Sequence, residues 1–372
     1  MFDSHIHIFP VKYLPKEITY KQLEVGLARY KDVIAKLHQY ELDGVVDGLL
    51  DVLGLGSNVE IEYFLSFIVG TVGRVMDLTR MELEKSGIDG AWVLNIDYGI
   101  EEQADYGRYK DYWRLQMEHE YQRTSAGFKP FYRVFIGVDP RRKGIVKDVR
   151  ELLDEGFGGI KMYPPIGWGA DDEDIRFNMR GIIEAAIEYR VPIVVHTSRG
   201  GIRGPHGKTS HADPQRWEWV FDEYGEEDGL TFIFAHGGGY SDFKDYAWTV
   251  FVKLRREWWE KHKFGDELLK EEREAEKDSW FGIIYTYMQE WESVFMDIAY
   301  YDGLYSWDKR GVGAVGGALK DAWAMDRIIY GSDFPLTGGQ WRYDKFWRHV
   351  VDAGLNEHLE RNQLRILERI KR

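Results

Sequence analysis

Two histidines near the start of the chain have the spacing of metal ligands. The segment Asp3-Ser4-His5-Ile6-His7 belongs to an apolar run that favours a β-strand. Residues two apart on a strand point to the same side, so His5 and His7 present both imidazoles together. Imidazole nitrogen is a common ligand of divalent metals, and the pair therefore suits a shared metal ion. A His-x-His pair alone is a weak signal, because a structural or surface role is more common for it.

Further polar residues stand at the ends of other apolar runs. His196 ends Val191–His196, His236 ends Thr231–His236, and Asp333 follows Ile328-Ile329-Tyr330-Gly331-Ser332. One such residue can be an ordinary hydrogen-bonding group, and an acid in this position can cap the next helix. Together with the His5/His7 pair, however, they favour a shared site. Asp297, near the end of another run, is expected to be a hydrogen-bond partner rather than a ligand.

The composition limits the chemistry of such a site. The chain has 372 residues, no cysteine, 15% aromatic residues and a formal net charge of −14. Without cysteine there is no disulfide, no thiolate nucleophile and no cysteine-ligated zinc, so a metal site must use His, Asp or Glu. The negative charge argues against binding to nucleic acid or to an anionic membrane surface, which leaves a small molecule as the expected partner.

The sequence shows neither the pattern of a signal peptide nor that of a membrane span. It opens with MFDSHIHIFP, which differs from the basic start and apolar core of a signal peptide. It also contains no run of about 18 apolar residues, the length that a membrane span needs. We therefore expect a cytoplasmic protein without a membrane segment.

Eight short apolar runs recur along the chain, and each is followed by a helix-like or loop segment. This alternation is typical of a parallel sheet built from βα units. The runs are Phe2–Ile8, Gly90–Ile96, Phe131–Val138, Gly158–Tyr163, Val191–His196, Thr231–His236, Val294–Ile298 and Arg327–Gly331. Eight strands predict an α/β fold, the closed (β/α)8 TIM barrel, with its chemistry at the C-terminal rim of the strands.

Two longer segments interrupt the regular spacing of the strands. The first, at about 9–88, follows strand 1 and has apolar residues at helical spacing. The second, at about 241–292, follows strand 6 and combines a charge-rich stretch, typical of a solvated helix, with five tryptophans. These tryptophans could line a pocket, form a subunit contact or pack against the barrel. Because no repeat or flexible linker is present, we expect one domain over 1–372 with two helical insertions.

The polar strand ends, taken in order, resemble the amidohydrolase superfamily of metal-dependent barrel enzymes. The resemblance rests on His5-x-His7, His196, His236 and Gly-Ser-Asp333-Phe-Pro, and it covers almost the whole chain. The segments Gly159–Pro165, Ala235-His236-Gly-Gly and Asn362–Leu367 are most similar to the branch that resembles aminocarboxymuconate-semialdehyde decarboxylase, related resorcylate decarboxylases and lactonases. The insertions lie where members of a superfamily usually choose their substrates, so the substrate of a relative is not transferred to this chain.

The resemblance implies a metal site and roles for its residues. One divalent metal would be held by His5, His7, His196 and Asp333, with zinc first and Mn, Fe, Co or Ni as other occupants. Such a metal lowers the pKa of a bound water towards 7. Asp333 would take the proton of this nucleophile and return it to the leaving group. His236 would act beside the metal as an acid/base or as a donor to a substrate oxygen, or would ligate a second metal.

Lys161 bears on the number of metals. In the two-metal branches of the superfamily a carboxylated lysine on strand four bridges the ions, and Lys161 lies at the end of the fourth run. A lysine there could instead pair with an acid or contact the substrate. The Gly-Ile-Lys pattern resembles the one-metal branch, so we expect one metal and keep two as the alternative.

The loop after His196 predicts substrate contacts. It is rich in glycine and carries Arg199 and Arg203, and arginine forms paired hydrogen bonds with carboxylates. Either arginine could hold an acidic substrate or form an ordinary surface ion pair. Tyr163 could form a wall of the pocket. The loop matches neither a phosphate-binding loop nor a dinucleotide fingerprint.

We therefore predict a metal-dependent hydrolase that cleaves an amide, lactone or similar acyl bond in a small anionic molecule. A metal-dependent nonoxidative decarboxylase of an aromatic or enoic acid needs the same ligands and is the first alternative. A barrel that binds its metal without catalysis is the second. The sequence is also compatible with a homodimer, which is common in this branch of the superfamily.

Overall fold

Eight parallel strands form the centre of the molecule. The computed structural model describes residues 1–8, 71–99, 106–247, 279–299, 326–333, 348, 350–351 and 354–371. The strands are β1 (Phe2–Ile6), β2 (Gly90–Leu94), β3 (Tyr132–Val138), β4 (Gly159–Met162), β5 (Ile193–Ser198), β6 (Phe232–Gly238), β7 (Val294–Asp297) and β8 (Ile328–Ile329). They pair in chain order and all neighbours are parallel. The predicted (β/α)8 barrel is confirmed, and each predicted strand end lies within two residues of the observed one.

Hydrogen bonds between β1 and the residues that follow β8 close the barrel. The N–H of Ser4 donates to the carbonyl oxygen of Tyr330 at 3.0 Å, and the N–H of Asp333 donates to the carbonyl oxygen of His5 at 2.8 Å. The side-chain amide of Gln363, on the last helix, donates to the Tyr330 carbonyl oxygen at 3.0 Å and also to that of Phe2. Closure therefore brings two of the predicted metal ligands, His5 and Asp333, side by side.

Side chains on the strands alternate between the interior of the barrel and the surrounding helices. This explains the continuous apolar runs, because strands of a parallel barrel are buried on both faces. The interior cluster includes Leu94, Phe135, Val194, Ile233, Phe295 and Ile329, whereas Val93, Val134, Val195, Phe234 and Met296 belong to the larger cluster that includes helix residues. The same alternation directs Lys161, His196 and Asp297 inward at the C-terminal rim, where all three are buried.

Helices surround the strands. Those within the described residues are α1 (Val72–Lys85), α2 (Tyr106–Ser125), α3 (Ile145–Asp154), α4 (Arg176–Glu188), α5 (Glu218–Tyr224), α6 (Tyr240–Ala247), α7 (Trp280–Glu290) and α8 (Asn356–Lys371). Their apolar residues have helical spacing, as in α3, which buries Ile145, Val149, Leu152 and Leu153. Thr71 and Ser279 begin α1 and α7, because each side chain accepts a hydrogen bond from the backbone N–H three residues later.

The described parts of both predicted insertions are helical. The first contains α1, and the second contains most of α6 and all of α7. Residues 9–70 and 248–278 lie outside the described residues, so the extent of the insertions and the single domain over 1–372 stay predictions. Within the described ranges, every helix is too short or too polar to cross a membrane.

Candidate metal centre

Strand β1 directs two imidazoles into the mouth of the barrel. His5 and His7 are both buried, and their Nε2 atoms lie 3.2 Å apart. The Nδ1 atom of His5 is 2.8 Å from Oδ2 of Asp297, and that of His7 is 2.7 Å from the carbonyl oxygen of Leu94. Both contacts need a proton on Nδ1, because a carboxylate and a carbonyl can only accept. Each ring therefore keeps its lone pair on Nε2, where a metal could bind.

Asp333 adds an oxygen to this pair of nitrogens. Its Oδ1 atom lies 3.4 Å from Nε2 of His5 and 3.1 Å from Nε2 of His7. The oxygen is buried and accepts no hydrogen bond within the described residues. The backbone of Asp333 is left-handed, with φ 59°, which is uncommon for a residue other than glycine. Two lone pairs and a carboxylate oxygen therefore converge on one point.

These three atoms fit a divalent metal. A zinc-like ion binds imidazole nitrogen at about 2.0–2.1 Å, which separates neighbouring ligands of a tetrahedron by about 3.3 Å. The observed separations of 3.1 to 3.4 Å agree with that distance. Three acceptor atoms in close contact repel one another, and a cation between them turns the repulsion into attraction. His5, His7 and Asp333 therefore form a donor set for a cation.

Asp297, at the end of β7, contacts two of the histidines. Its Oδ2 atom accepts a hydrogen bond from Nδ1 of His5. Its Oδ1 atom accepts hydrogen bonds from the backbone N–H groups of His236 at 2.8 Å and Ala299 at 3.0 Å. His5, His236 and Asp297 form a second group of possible ligands. In this structure Asp297 instead orients His5, as carboxylates commonly do for metal-binding histidines. This agrees with its predicted role as a hydrogen-bond partner.

A left-handed backbone turns His236 into the mouth of the barrel. Ala235 belongs to the interior cluster, so regular alternation would direct the next side chain outward. His236 has φ 66°, and its ring centroid lies 4.8 Å from that of His5 and 4.7 Å from that of His196. Its Nδ1 atom is 3.3 Å from the carbonyl oxygen of Ala299. Strained backbone of this kind is concentrated at functional sites.

His196 lies apart from the other three predicted ligands. Its ring is 4.4 Å from the ring of Tyr163, and its Nε2 atom is 3.2 Å from the carbonyl oxygen of Gly200. It is not part of the His5/His7/Asp333 group, whose ligand atoms all lie within 4.8 Å of one another. The loop after β5 passes over the ring and supplies this backbone acceptor. The structure thus brings together three of the four predicted ligands, and ligation by His196 stays a prediction.

Lys161 contributes an unpaired cation to the same mouth. Its side chain is buried, and its Nζ atom has no hydrogen-bond acceptor within the described residues. Burial lowers the pKa of Lys161 to about 8, although Asp297 and Asp333 favour the charged form through space. The amine is therefore mostly protonated at pH 7.

Burial favours the neutral form of three of the imidazoles. It lowers the pKa of His5, His196 and His236 well below 6.5, and the positive charge of Lys161 acts in the same direction on each ring. Burial also raises the pKa of Asp297, which the neighbouring His236 lowers in part. A metal binds the neutral form of imidazole, so the site can take up a cation without first displacing protons from these rings.

The predicted substrate contacts lie on and beneath the loop after β5. Arg199 pairs with Asp242 through contacts of 2.8 and 3.1 Å, and its guanidinium lies 4.3 Å from the ring centroid of Trp280. Arg203 is exposed and donates to the carbonyl oxygen of Arg199 at 3.2 Å. Tyr163 is buried, and its hydroxyl oxygen accepts the N–H of Ile202 at 2.8 Å. Arg199 thus forms the surface ion pair that was the alternative, and substrate contacts of these three residues stay predictions.

A buried carboxylate that the sequence interpretation missed joins the two strands that carry ligands. Oδ1 of Asp3 accepts the N–H of His5 at 3.0 Å and that of Ser332 at 3.1 Å. Burial raises the pKa of Asp3 to about 7, and hydrogen bonds from Ser332 and His5 oppose this rise. The strand alternation that aligns His5 with His7 also aligns Asp3 with them, and this was the available signal.

A polar network on α2 was also missed. Asn95 donates to the carbonyl oxygen of Phe135 at 2.9 Å and to Oε1 of Gln116 at 2.7 Å, and Gln116 donates to the carbonyl oxygen of Ile8 at 3.0 Å. These bonds fix the residue after His7 and the residue after Leu94, whose carbonyl orients the His7 ring. The network gives no sequence signal, because Gln116 is 21 residues from Asn95 and 108 from Ile8.

The loop over His196 requires a residue without a side chain at Gly201. This residue has φ 97°, and a Cβ atom there would collide with the Tyr163 hydroxyl and lie 3.0 Å from Nε2 of His196. Gly201→Ala is expected to lower the free energy of unfolding by about 1–3 kcal/mol, because the left-handed backbone and the crowding both oppose a side chain. Chemical denaturation monitored by tryptophan fluorescence measures this change.

Gly200→Ala is the matched control for the loop. The nearest contact of a Cβ atom at Gly200 would be Ser198 Oγ at 3.5 Å, an ordinary van der Waals distance. We expect its free energy of unfolding to stay within about 0.5 kcal/mol of the wild type, as for most surface substitutions. Equal destabilisation by both alanines would contradict the described position of the loop.

Several solved protein structures are similar to this chain over most of its length. Similar solved structures include a 4-oxalomesaconate hydratase from Rhodopseudomonas palustris, with 17% identity, a TM-score of 0.48, and coverage of 100% of this chain and 96% of that chain. A manganese-bound 5-carboxyvanillate decarboxylase from Novosphingobium aromaticivorans has 14% identity, a TM-score of 0.45, and coverage of 96% and 92%. A probable 2-pyrone-4,6-dicarboxylic acid hydrolase from Acinetobacter baumannii has 12% identity, a TM-score of 0.43, and coverage of 78% and 87%. A search of the curated proteins finds no match.

The family comparison is more extensive. The sequence model of the amidohydrolase family matches residues 101–365, which is more than half of the chain. The matched segment contains Lys161, His196, His236, Asp297 and Asp333, all of which the structure directs to or places around the mouth of an eight-stranded parallel barrel. The predicted superfamily is thereby confirmed, and the chain belongs to the amidohydrolase family.

Proposed function

We propose that the protein is a metal-dependent hydrolase of an amide, lactone or similar acyl bond in a small anionic molecule. The observation that carries this proposal is the convergence of Nε2 of His5, Nε2 of His7 and Oδ1 of Asp333 at 3.1 to 3.4 Å. Hydrogen bonds to Nδ1 hold both imidazoles in the tautomer that a metal needs. A divalent metal fits this donor set, with zinc or manganese among the candidates.

The protein residues divide the chemical work. When bound, the divalent metal supplies Lewis acidity that polarises a carbonyl and lowers the pKa of water. Asp333 accepts the proton of the attacking water on a carboxylate oxygen and returns it to the leaving group. His236 stands 4.8 Å from His5, ring centroid to ring centroid, and donates to or accepts from the substrate oxygen through Nε2. Asp297 holds both histidines in place.

The proposal includes one metal and not two. The second group of possible ligands shares His5 with the first, and its Nδ1 proton already bonds to Asp297. An imidazole that donates from Nδ1 binds only one metal, through Nε2. His196 is the proposed fourth ligand. To bind the metal, its Nε2 atom would give up its contact with the Gly200 carbonyl oxygen.

Hydrolysis is tested with a panel of lactones and amides of small carboxylic acids. Protein is prepared with about one zinc or manganese per chain, and acid release is followed with a pH indicator. We expect metal-dependent turnover of at least one class, and no turnover after the metal is removed. Release of carbon dioxide from aromatic or enoic acids, without acyl cleavage, would replace this proposal by the decarboxylase alternative.

A third outcome is distinguishable from these two. A barrel that binds metal without catalysis would turn over neither panel, and its melting temperature would still rise with metal, because a ligand that binds only the folded state stabilises it. Calorimetry of the same preparations with and without metal measures that rise. The hydrolase proposal requires both the rise and the turnover.

Asp297 gives a sharper test of the metal centre. Asp297→Asn keeps the shape of the side chain but weakens the acceptor for the His5 Nδ1 proton, which lies 2.8 Å away. Loss of such a partner commonly costs 10- to 100-fold in metal affinity, and we expect about that change. Competition with a fluorescent zinc chelator measures the dissociation constant.

Asp139→Asn is the matched control for this variant. Asp139 is also a buried carboxylate that follows a strand, but it pairs with Arg141 and has no contact with the histidines. We expect its zinc affinity to equal that of the wild type. A similar loss of affinity in both variants would point to general destabilisation and would argue against a specific role of Asp297.

A further inference from the structure

The mouth of the barrel contains a cation that no described residue neutralises directly. The Lys161 side chain is 1% exposed, and its Nζ atom has no hydrogen-bond partner within the described residues. Asp297 and Asp333 act on Lys161 through space only, since the described carboxylate contacts of Asp297 go to His5, His236 and Ala299. An ammonium buried without a partner is costly, because desolvation removes its bonds to water.

The position of Lys161 is fixed by the barrel. On β4 it pairs in register with Gly137 of β3 and Val194 of β5, and Val194 belongs to the interior cluster. A Cβ atom on Gly159, two residues earlier on the same strand, would meet the interior ring of Phe135, so the Lys161 side chain also points into the barrel at the C-terminal rim. It is therefore close to whatever molecule occupies the mouth.

The surroundings of Lys161 indicate which kind of molecule this is. The described carboxylates at the mouth have other contacts, since Asp297 bonds to His5 and His236, and Oδ1 of Asp333 lies 3.1 to 3.4 Å from the Nε2 atoms of His5 and His7. Nζ of Lys161 therefore has three donors and no acceptor among the described residues. A buried ammonium of this kind favours an anion, because carboxylate oxygens accept its hydrogen bonds.

We propose that Lys161 binds a carboxylate of the substrate, next to the acyl group that is cleaved. This inference rests on the proposed function and specifies its substrate class: an amide or lactone that also carries a carboxylate. The carboxylate accepts hydrogen bonds from Nζ and supplies the partner that the described residues do not. It also fixes the scissile carbonyl beside His5, His7 and Asp333. Lys161 is thus a specificity-determining residue, and carboxylation to bridge two metals is the competing role.

The test compares Lys161→Met with the wild type, both loaded with zinc. Methionine has a similar length and no charge, and replacing a buried unpaired cation by an apolar side chain tends to stabilise a protein. The probes are benzoate and benzamide, which share a shape and differ in charge. Isothermal titration calorimetry gives their dissociation constants, and elemental analysis gives the zinc content.

We expect benzoate to bind the variant about 10- to 100-fold more weakly than the wild type, the loss typical of a hydrogen bond to a charged group. Benzamide affinity and a content of about one zinc per chain should not change. Lys110→Met is the matched control, because Lys110 is also a lysine but lies on α2 and already pairs with Asp148. It should bind benzoate as the wild type does.

Three results would overturn the inference. One is equal benzoate affinity in the wild type and Lys161→Met, and another is an equal loss of affinity in Lys110→Met. The third is two zinc ions per chain in the wild type and one in Lys161→Met, which would make Lys161 a carboxylated bridge. If Lys161→Met does not fold, mass spectrometry and zinc analysis of the wild type still detect that bridge. The wild type alone also tests the inference, because benzoate that binds no more tightly than benzamide would contradict it.

Failure of this inference differs from failure of the proposed function. Calorimetry needs no turnover, so benzoate binding can be measured on a protein that hydrolyses nothing. Hydrolysis of neutral amides or lactones together with indifference to Lys161→Met would remove the inference and keep the hydrolase. Lysine-dependent binding of benzoate without acyl cleavage would keep the anion site and remove the hydrolase.

Discussion

Replacing His5 and His7 together by alanine is expected to abolish metal binding and to lower kcat/KM by at least about a thousandfold. These residues supply two of the three converging ligand atoms, and Oδ1 of Asp333 together with the proposed ligand His196 leaves too few ligands to retain a divalent ion. The catalytic contribution of a metal is several kcal/mol, and each 1.36 kcal/mol corresponds to a factor of ten in rate. Elemental analysis and turnover of the best substrate measure the two effects.

The matched control removes two histidines from the outer helices, as His119→Ala/His358→Ala. His119 pairs with Asp77 at 3.2 Å, and His358 lies on α8, so neither contacts the candidate metal centre. This variant should keep its metal and its activity. Retention of one metal per chain in His5→Ala/His7→Ala would contradict the assignment of the ligands, and any tag should be C-terminal because β1 begins at Phe2.

The positions of the strands could be predicted from the sequence because a parallel barrel buries both faces of each strand. That burial produces uninterrupted apolar runs such as Phe232–Ala235, which end where the polar rim begins. Chain order then fixes the pairing, since βα units of a barrel add strands in sequence. The sequence therefore predicted the order of the strands as well as their number.

The side-chain directions at the rim followed the strand alternation only in part. Alternation correctly directs Asp297 inward, because Phe295, two positions earlier, lies inside the barrel. It also directs Lys161 inward, because a Cβ atom on Gly159, two positions earlier, would meet the interior ring of Phe135. It fails at His236, where φ is 66° and the preceding Ala235 already lies inside the barrel. A left-handed residue reverses the direction that alternation predicts, and only glycine signals such a backbone clearly in a sequence.

The partners that orient the ligands could not be predicted, since they depend on contacts between distant segments. Nδ1 of His7 bonds to a carbonyl oxygen 87 residues away, and that of His5 bonds to a carboxylate 292 residues away. A backbone carbonyl has no sequence signature at all. The same is true of Gly200, whose carbonyl oxygen lies within hydrogen-bond distance of Nε2 of His196.

One short motif is explained by the packing. In Gly331-Ser332-Asp333, a Cβ atom on the glycine would lie 2.7 Å from Cβ of His5. The missing side chain lets β1 and β8 approach, so that the N–H of Asp333 can reach the His5 carbonyl oxygen. Ser332 donates its N–H to Asp3 on the other strand. The motif therefore joins the two ligand-bearing strands, in addition to supplying a ligand.

Asp333→Asn is expected to retain most of the metal and to lower kcat by about a hundredfold or more. Asparagine tolerates the left-handed backbone at φ 59° better than alanine does, and it keeps an oxygen near the two Nε2 atoms. It cannot accept a proton at neutral pH, however, and general acid–base catalysis typically contributes 10²- to 10⁴-fold. Metal content and kcat, measured on the same preparation, separate the two roles of Asp333.

His236→Asn is the companion variant, because His236 is the other group proposed to transfer protons. It lies on the same rim and also has a left-handed backbone, so the substitution imposes a similar conformational demand. If Asp333 carries the proton from water to the leaving group, its variant should lose more of kcat than His236→Asn. An Asp333→Asn protein with full metal and kcat within about threefold of the wild type would limit Asp333 to ligation. A larger loss in His236→Asn would then assign the proton transfer to His236, because its Nε2 atom would be the remaining base in the mouth of the barrel.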